Sequence, residues 1–277
     1  MALRSTILFA LLATTAAAEP RWEVRSFDMP ESVLHDAARD RLVVSEIRGG
    51  PGDLDGAGGL VLLSTSGEVI DRAWAEGMNA PKGLALMGDR LLVADLDSLR
   101  VLDADTGATL DVLSPEGATF LNDVTVLGEA AYVTDLMTHT IWRYDGRELA
   151  RWLEDDRLAH PNGIFAQGGR LIVGSWGAGL SEDFTTEAPG GLLTVDPVTQ
   201  AIADLAPGLG NIDGIAEMNG ELIVSDWVTG ALLRVASNGS SETISIYPAG
   251  LADISATGST VYLPHMLEGQ VEAVALD

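Results

Sequence analysis

Asn122-Asp-Val-Thr-Val-Leu-Gly-Glu-Ala-Ala-Tyr-Val-Thr-Asp135 decides the fold, because the chain repeats it. The stretch opens on a polar residue and runs into an apolar strand. It turns at Gly128-Glu129 and returns through a second apolar strand to an acid. Four segments align with it without gaps. They are Lys82-Gly-Leu-Ala-Leu-Met-Gly-Asp-Arg-Leu-Leu-Val-Ala-Asp95, Asn162-Gly-Ile-Phe-Ala-Gln-Gly-Gly-Arg-Leu-Ile-Val-Gly-Ser175, Asp213-Gly-Ile-Ala-Glu-Met-Asn-Gly-Glu-Leu-Ile-Val-Ser-Asp226 and Ala252-Asp-Ile-Ser-Ala-Thr-Gly-Ser-Thr-Val-Tyr-Leu-Pro-His265. A sixth, residues 31–46, has a turn two residues longer. Gly-Asp and Asn-Gly turns supply the positive φ that tight hairpins need.

The units start at 31, 82, 122, 162, 213 and 252, so the gaps are 51, 40, 40, 51 and 39 residues. One four-stranded propeller blade takes about 40–45 residues. The spacing therefore predicts an all-β, six-bladed β-propeller with four antiparallel strands per blade. The two longer gaps carry Gly-rich insertions at 49–59 and 177–191. Residues 98–103 and 109–113 read as one pair of outer strands. The last unit leaves room for one more strand, at 270–276. The missing fourth strand is expected at 22–27, where it would close the ring and remove the open sheet edges.

Composition bounds the rest. The chain has 277 residues, 47% hydrophobic, with a formal net charge of −25. Such a surface repels phosphate backbones and anionic lipid, so nucleic acid and membrane partners are not expected. Charge of this size also simply keeps a protein soluble. With no Cys in the sequence, disulfides, thiol catalysis and zinc–thiolate sites are excluded. Residues 1–18 read as a signal peptide: an early Arg4, an apolar run over 6–13 and small residues up to Ala18. The expected domain is then 19–277, secreted, and in the absence of disulfides best suited to a bacterial periplasm.

In a propeller the first strand of each blade lines the central channel. Its starting residues, Glu31, Lys82, Asn122, Asn162, Asp213 and Ala252, are expected as a ring at one channel mouth, with Asp123 and Asp253 beside it. The second strand returns to the same end. It brings a second ring: Glu46, Asp95, Asp135, Ser175 with Trp176, Asp226 and His265. Two carboxylates and two carboxamides at one mouth make an all-oxygen set of the kind that hard cations prefer, Ca²⁺ above all. Asn and Asp also cap strand ends and form turns, so each position alone has a purely structural explanation.

At these residues the chain resembles the gluconolactonase family, which includes regucalcin and, more distantly, diisopropylfluorophosphatase and paraoxonase. The resemblance lies in Glu31 opening blade 1, Asn122-Asp123 in blade 3, Asn162-Gly163 in blade 4 and Asp213-Gly214 in blade 5. It implies one divalent cation, usually Ca²⁺ and in some members Zn²⁺ or Mn²⁺, held by Glu31, Asn122, Asn162 and Asp213. It also implies hydrolysis of a lactone or related ester, with Asp213 as base or nucleophile. His265 and Asp123 are candidate proton relays. Lys82, Phe120 and Trp176 are candidate substrate contacts.

The chain departs from the family at two places. Ser32-Val33-Leu34 follows the first-blade Glu, where the family has Gly-Pro and an aromatic. Phe120 stands where a substrate-binding Arg is common, and it cannot hold a hydroxyl or a carboxylate. Lys82 on the channel ring is also unexpected; it would pair with Asp213 or Glu31 and compete with a cation, or orient a substrate oxygen. A non-catalytic binding or scaffolding propeller is the alternative. A metal-free member resembling strictosidine synthase is a third reading, opposed by the retained Glu31 and Asp213.

Overall fold

The structure is a computed structural model that describes residues 20–276. The segment read as a signal peptide lies outside the described residues. Six antiparallel sheets follow one another along the chain. Blade 1 is formed by Pro30–Asp36, Arg41–Glu46, Gly58–Ser64 and Val69–Met78. Blade 2 is Pro81–Met87, Arg90–Asp95, Ser98–Asp103 and Thr109–Leu113. Blade 3 is Leu121–Leu127, Ala130–Asp135, Thr140–Tyr144 and Leu149–Glu154. Blade 4 is Pro161–Gln167, Arg170–Ser175, Ala188–Val195 and Ile202–Gly210, with a short extra strand at Gly177–Ala178. Blade 5 is Ile212–Met218, Glu221–Asp226, Ala231–Val235 and Ser241–Ile246.

Blade 6 is Ser255–Thr257, Thr260–His265 and Gln270–Ala275, and its outermost strand is the N-terminal Pro20–Arg25. Pairing of Trp22 with Ala273 and Arg25 with Gln270 ties the two ends of the chain together. The closing strand lies two residues earlier than the sequence pattern places it. Ser26 at φ 82° turns the chain out of the ladder, and the Phe27 N–H goes to the Gly269 carbonyl. The Phe27 ring then buries between blades 6 and 1.

The core sits between blades rather than inside any one of them. Alternate apolar residues on each blade face meet those of the next. Blades 1 and 2 bury Val43 and Leu62 against Leu84 and Leu91. Blades 2 and 3 bury Leu92 and Leu99 against Val133 and Trp142. Equivalent clusters join blades 3 to 4, 4 to 5, 5 to 6 and 6 back to 1. Each blade is thus stable only through its neighbours, which is the energetic reason for ring closure.

One feature of the inner strands positions the site. In blades 1 to 5 the ladder slips at its start, between Pro30 and Val33, Pro81 and Leu84, Leu121 and Val124, Pro161 and Ile164, and Ile212 and Ile215. A bulge of this kind frees residues from pairing and re-aims their side chains. The freed residues include Glu31, Lys82, Asn122, Asn162 and Asp213. Hydroxyls from the second strand bridge the slip. Ser45 accepts from Ser32 N–H at 2.9 Å, Thr134 from Asp123 N–H at 3.0 Å and Ser225 from Gly214 N–H at 2.7 Å. Thr134 and Ser225 also donate to the next blade, at the carbonyls of Asn162 and Ala252.

Glycine follows the site residue where blades crowd the axis. A Cβ on Gly163 would lie 1.9 Å from the Asp213 carbonyl oxygen, and one on Gly214 2.4 Å from Ile254 N. The Asn-Gly and Asp-Gly pairs are therefore packing requirements.

Candidate functional site

Seven of the nine side chains singled out from sequence converge on one cavity of about 170 Å³ at the channel mouth. Glu31, Lys82, Asn122, Asn162 and Asp213 form its floor, and Phe120 and Trp176 stand in its wall. All five floor residues are at most 5% exposed. The remaining wall comes from Ile47, Leu136, Trp227 and Met266, and from Pro51, Asp183 and Phe184 of the two insertions.

The floor is unevenly satisfied. Asn162 Nδ2 donates to Asp213 Oδ2 at 3.4 Å. Glu31 Oε2 and Asp213 Oδ1 are buried without any hydrogen-bond partner. Burial raises the Glu31 carboxyl well above the ordinary carboxylate range, and the nearby Asp213 raises it further, against an opposing pull from Lys82. Burial raises Asp213 likewise, with Asp253 adding to the effect and the Asn162 amide and Lys82 opposing it.

Lys82 does not quench these acids. No ion pair within 4 Å joins it to a carboxylate among the described residues. Its ammonium donates to the Pro51 carbonyl at 3.0 Å and the Ala80 carbonyl at 3.1 Å, and lies 4.9 Å from the centre of the Phe120 ring. Burial lowers its pKa to about 8, against the more distant pull of Glu31, Asp95 and Asp213. The expected pairing of Lys82 with Glu31 or Asp213 gives way to two carbonyls and an aromatic face.

Asp123 and His265 lie elsewhere. Asp123 turns away from the mouth and lines a second cavity of about 280 Å³ at the far end of the channel, with Ser32 and Asp253. Its oxygens accept from Val124 N–H at 2.6 Å and Ile164 N–H at 2.7 Å, so it straps blade 3 to blade 4. His265 Nε2 meets Glu272 Oε1 at 3.0 Å, and its ring stands 5.2 Å from that of Tyr247. Neither residue is among those lining the mouth cavity.

The rest of the second ring is also structural. Glu46 accepts from Asp28 N–H, Asp95 from Asn79 and Ala80, and Asp135 from Thr119 and Phe120. Each thereby fixes the segment that enters its own inner strand. Ser175 donates to the Ala159 carbonyl, and Asp226 caps its own turn at Val228 and Thr229. These acids act on the backbone beneath the cavity and leave its floor to the inner ring.

No family model matches the chain, and no curated protein matches it. Solved structures do match. Virginiamycin B lyase from Staphylococcus aureus is 12% identical over 92% of this chain and 99% of its own, with a TM-score of 0.63. The catalytically inactive form of that lyase with quinupristin is 13% identical over the same shares, with a TM-score of 0.61. A chain of a nidogen/laminin complex is 16% identical over 81% of this chain and 88% of its own, with a TM-score of 0.66. At these identities the likeness is one of fold.

Beyond Phe120 and Trp176, the apolar wall is what residue-by-residue reading missed, yet the repeat carries much of it. Extending each aligned unit by one residue gives Ile47, Leu96, Leu136, Trp176, Trp227 and Met266. All but Leu96 line the cavity, and Leu96 packs behind it with Ile47, Ala80, Ala252 and Met266. Phe184 has no such signal, because it lies in an insertion outside the repeat. The pairing of Gly177–Ala178 with residues 188–189 folds that insertion back, and Trp176 Nε1 holds the Phe184 carbonyl at 2.9 Å.

Proposed function

We propose that the protein hydrolyses a lactone or related ester at the channel mouth with one divalent cation, Ca²⁺ before Zn²⁺ or Mn²⁺, as in the gluconolactonase-like propellers it resembles. The observation that carries the reading is the pair of buried, unpartnered carboxylate oxygens, Glu31 Oε2 and Asp213 Oδ1. Buried polar atoms are almost always satisfied, so two orphans on one floor point to a missing partner. Oxygens of Glu31, Asn122, Asn162 and Asp213 fit such a partner: two negative charges match a divalent ion, and carboxamides add neutral donors. Among the described residues no group of three or more His, Asp and Glu forms a metal centre, so the carboxamides are essential to the set. The cation, when bound, polarises a carbonyl oxygen and acidifies a water.

The chain's own groups supply the rest. Asn162 holds Asp213 Oδ2 and so orients the carboxylate that would take the proton of the attacking water. The water oxygen bonds to the carbonyl carbon, the ring C–O bond breaks, and the departing alkoxide recovers that proton. The aromatic wall excludes bulk water and strengthens the electrostatics of the floor. The test is hydrolysis of a lactone and ester panel with and without chelator. Asp213→Asn is expected to lower kcat/KM by about 10²–10⁴-fold. No turnover across the panel would overturn the reading, as would an Asp213→Asn variant as active as the parent.

A ligand-binding propeller is the second reading. Lys82 favours it, because a fixed ammonium at the floor can hold an oxygen ligand without any reaction. The solved neighbours fit both readings, since one is a lyase and another is part of a nidogen/laminin complex. A Ca²⁺-dependent rise in melting temperature without hydrolysis would select it.

A further inference from the structure

We infer that the ligand of the mouth cavity is a compact, neutral, largely apolar molecule with a single carbonyl or ester head, and that polyhydroxylated sugar lactones are poor ligands. The inference rests on the functional reading above for the reaction, but on the cavity wall alone for the ligand class. Above the polar floor the wall is mostly apolar, with Phe120, Leu136, Trp176, Phe184, Trp227 and Met266; its one charged member, Asp183, is exposed and accepts from the Thr185 N–H and hydroxyl. Their rings close on one another: Phe120 and Phe184 centroids are 6.1 Å apart, and Trp176 and Trp227 are 5.9 Å apart.

The polar groups of Trp176 in that wall are already used. The Trp176 indole N–H is spent on the Phe184 carbonyl. The Trp176 carbonyl takes the Asn211 amide at 2.7 Å. A hydroxyl pushed against these groups would lose water and gain no partner, whereas a CH₂ or an aryl edge loses nothing. Polar contacts are concentrated at the floor, where Lys82, Asn122, Asn162 and the two acids face one end of the ligand.

Size narrows the class further. An apolar cavity of roughly 150 Å³ accepts benzene. About 170 Å³ therefore holds one six-membered ring or a short branched chain, with any longer tail leaving through the open mouth. Lys82 contributes to the same selection. Its ammonium packs on the Phe120 face, so the cation and the ring form one surface on which a carbonyl oxygen can rest while the body of the ligand meets the aromatic edge.

The experiment uses the full mature chain with Ca²⁺ and two readouts. The first is kcat/KM for phenyl acetate and δ-octalactone against glucono-δ-lactone. The second is binding of two ketones that cannot be hydrolysed, cyclohexanone and acetophenone, followed by tryptophan fluorescence. Both apolar esters are expected to exceed the sugar lactone by at least about 100-fold. Phe184→Ala is expected to weaken ketone binding by about 10-fold, at unchanged far-UV circular dichroism. Ketone binding without hydrolysis of any ester would overturn the hydrolase reading and support the ligand class. Hydrolysis of glucono-δ-lactone as fast as the apolar esters would overturn the ligand class and leave the hydrolase reading standing. Failure of both ketones to bind, or glucose competing with them equally, would also overturn the ligand class.

Discussion

Replacing Asp95 with alanine tests how the acids beneath the site work. Asp95 has no exposed surface. Its Oδ1 accepts the N–H groups of Asn79 and Ala80, both at 2.8 Å, and its Oδ2 accepts Arg100 Nε at 2.6 Å. The truncation strands two backbone donors and a guanidinium that is 17% exposed. Removing one partner of a buried charge pair costs about 3–5 kcal/mol. In a domain somewhat larger than 200 residues, each kcal/mol lowers the melting temperature by about 2–4 °C, so the drop should be about 6–20 °C. Thermal unfolding followed by tryptophan emission measures the drop, and urea unfolding the free energy. Asp95→Asn keeps an acceptor for Ala80 and should fall between variant and parent. Arg100→Met in the Asp95→Ala background removes the stranded charge and should recover at least about 1 kcal/mol as a non-additive coupling. The functional consequence is specific, because the Ala80 carbonyl anchors Lys82. Asp95→Ala should therefore raise KM for an ester more than it lowers kcat. A variant within 1 kcal/mol of the parent, or strict additivity with Arg100→Met, would refute the argument.

In calcium-free buffer the melting temperature should rise as the pH falls from 8 to about 5. Burial lifts Asp253 to about 7 and raises Glu31, Asp123 and Asp213 well above the carboxylate range, so in this window the folded state holds protons that the unfolded state has released. Two groups whose pKa burial lowers oppose the trend: Lys82, at about 8, only at the top of this window, and the half-buried His160 below about 6.5; four raised acids outweigh them. A melting temperature that falls steadily from pH 8 to 5 in chelator would refute the raised acids. Saturating Ca²⁺ at about 100 times its Kd should add about 2.7 kcal/mol at pH 8, and Glu31→Gln should abolish most of that gain; calorimetry with and without the ion decides. Gly163→Ala places a methyl 1.9 Å from the Asp213 carbonyl oxygen and should cost roughly 1–3 kcal/mol or more while lowering activity, since blades 4 and 5 must part where Asn162 meets Asp213. A variant with parental melting temperature and activity would show that the axis has slack.

The fold was legible because six copies of one pattern over-determine it. A single segment with the pattern of residues 122–135 is a hairpin in any of several folds, and only its recurrence at blade spacing selects a ring. The inner ring was legible for the same reason, since aligned positions occupy equivalent places about the axis. The second ring was placed correctly along the strands but not in direction. Asp95, Asp135 and Glu46 each find unpaired N–H groups of their own blade within 3.2 Å, and a buried carboxylate takes such donors before it faces a cavity. The repeat alignment does not show this, because those N–H groups belong to the segments that enter the inner strands, ahead of the first ladder pair and outside the repeated unit. Asp123 is a case of the same kind: it follows Asn122 by one residue, and strand alternation sends it to the far side of the inner strand.

The orphaned oxygens follow from two local choices that break the symmetry of the ring. Round the axis the inner residues run Glu31, Lys82, Asn122, Asn162, Asp213 and Ala252, so Ala252 lies between the two acids. A methyl there offers no donor to either one. On the other flank of Glu31, Lys82 would be the natural partner. The insertion at 49–59 brings the Pro51 carbonyl to its ammonium, and the Asp95 cap presents the Ala80 carbonyl beside it. One oxygen of each acid is thus left without a protein partner, with a small residue between the two acids and Lys82 drawn away from Glu31. A purely structural ring has no need of either device, because pairing Lys82 with Glu31 would satisfy both at once. The arrangement keeps two carboxylate oxygens open at considerable electrostatic cost, and that cost is what a bound cation would repay.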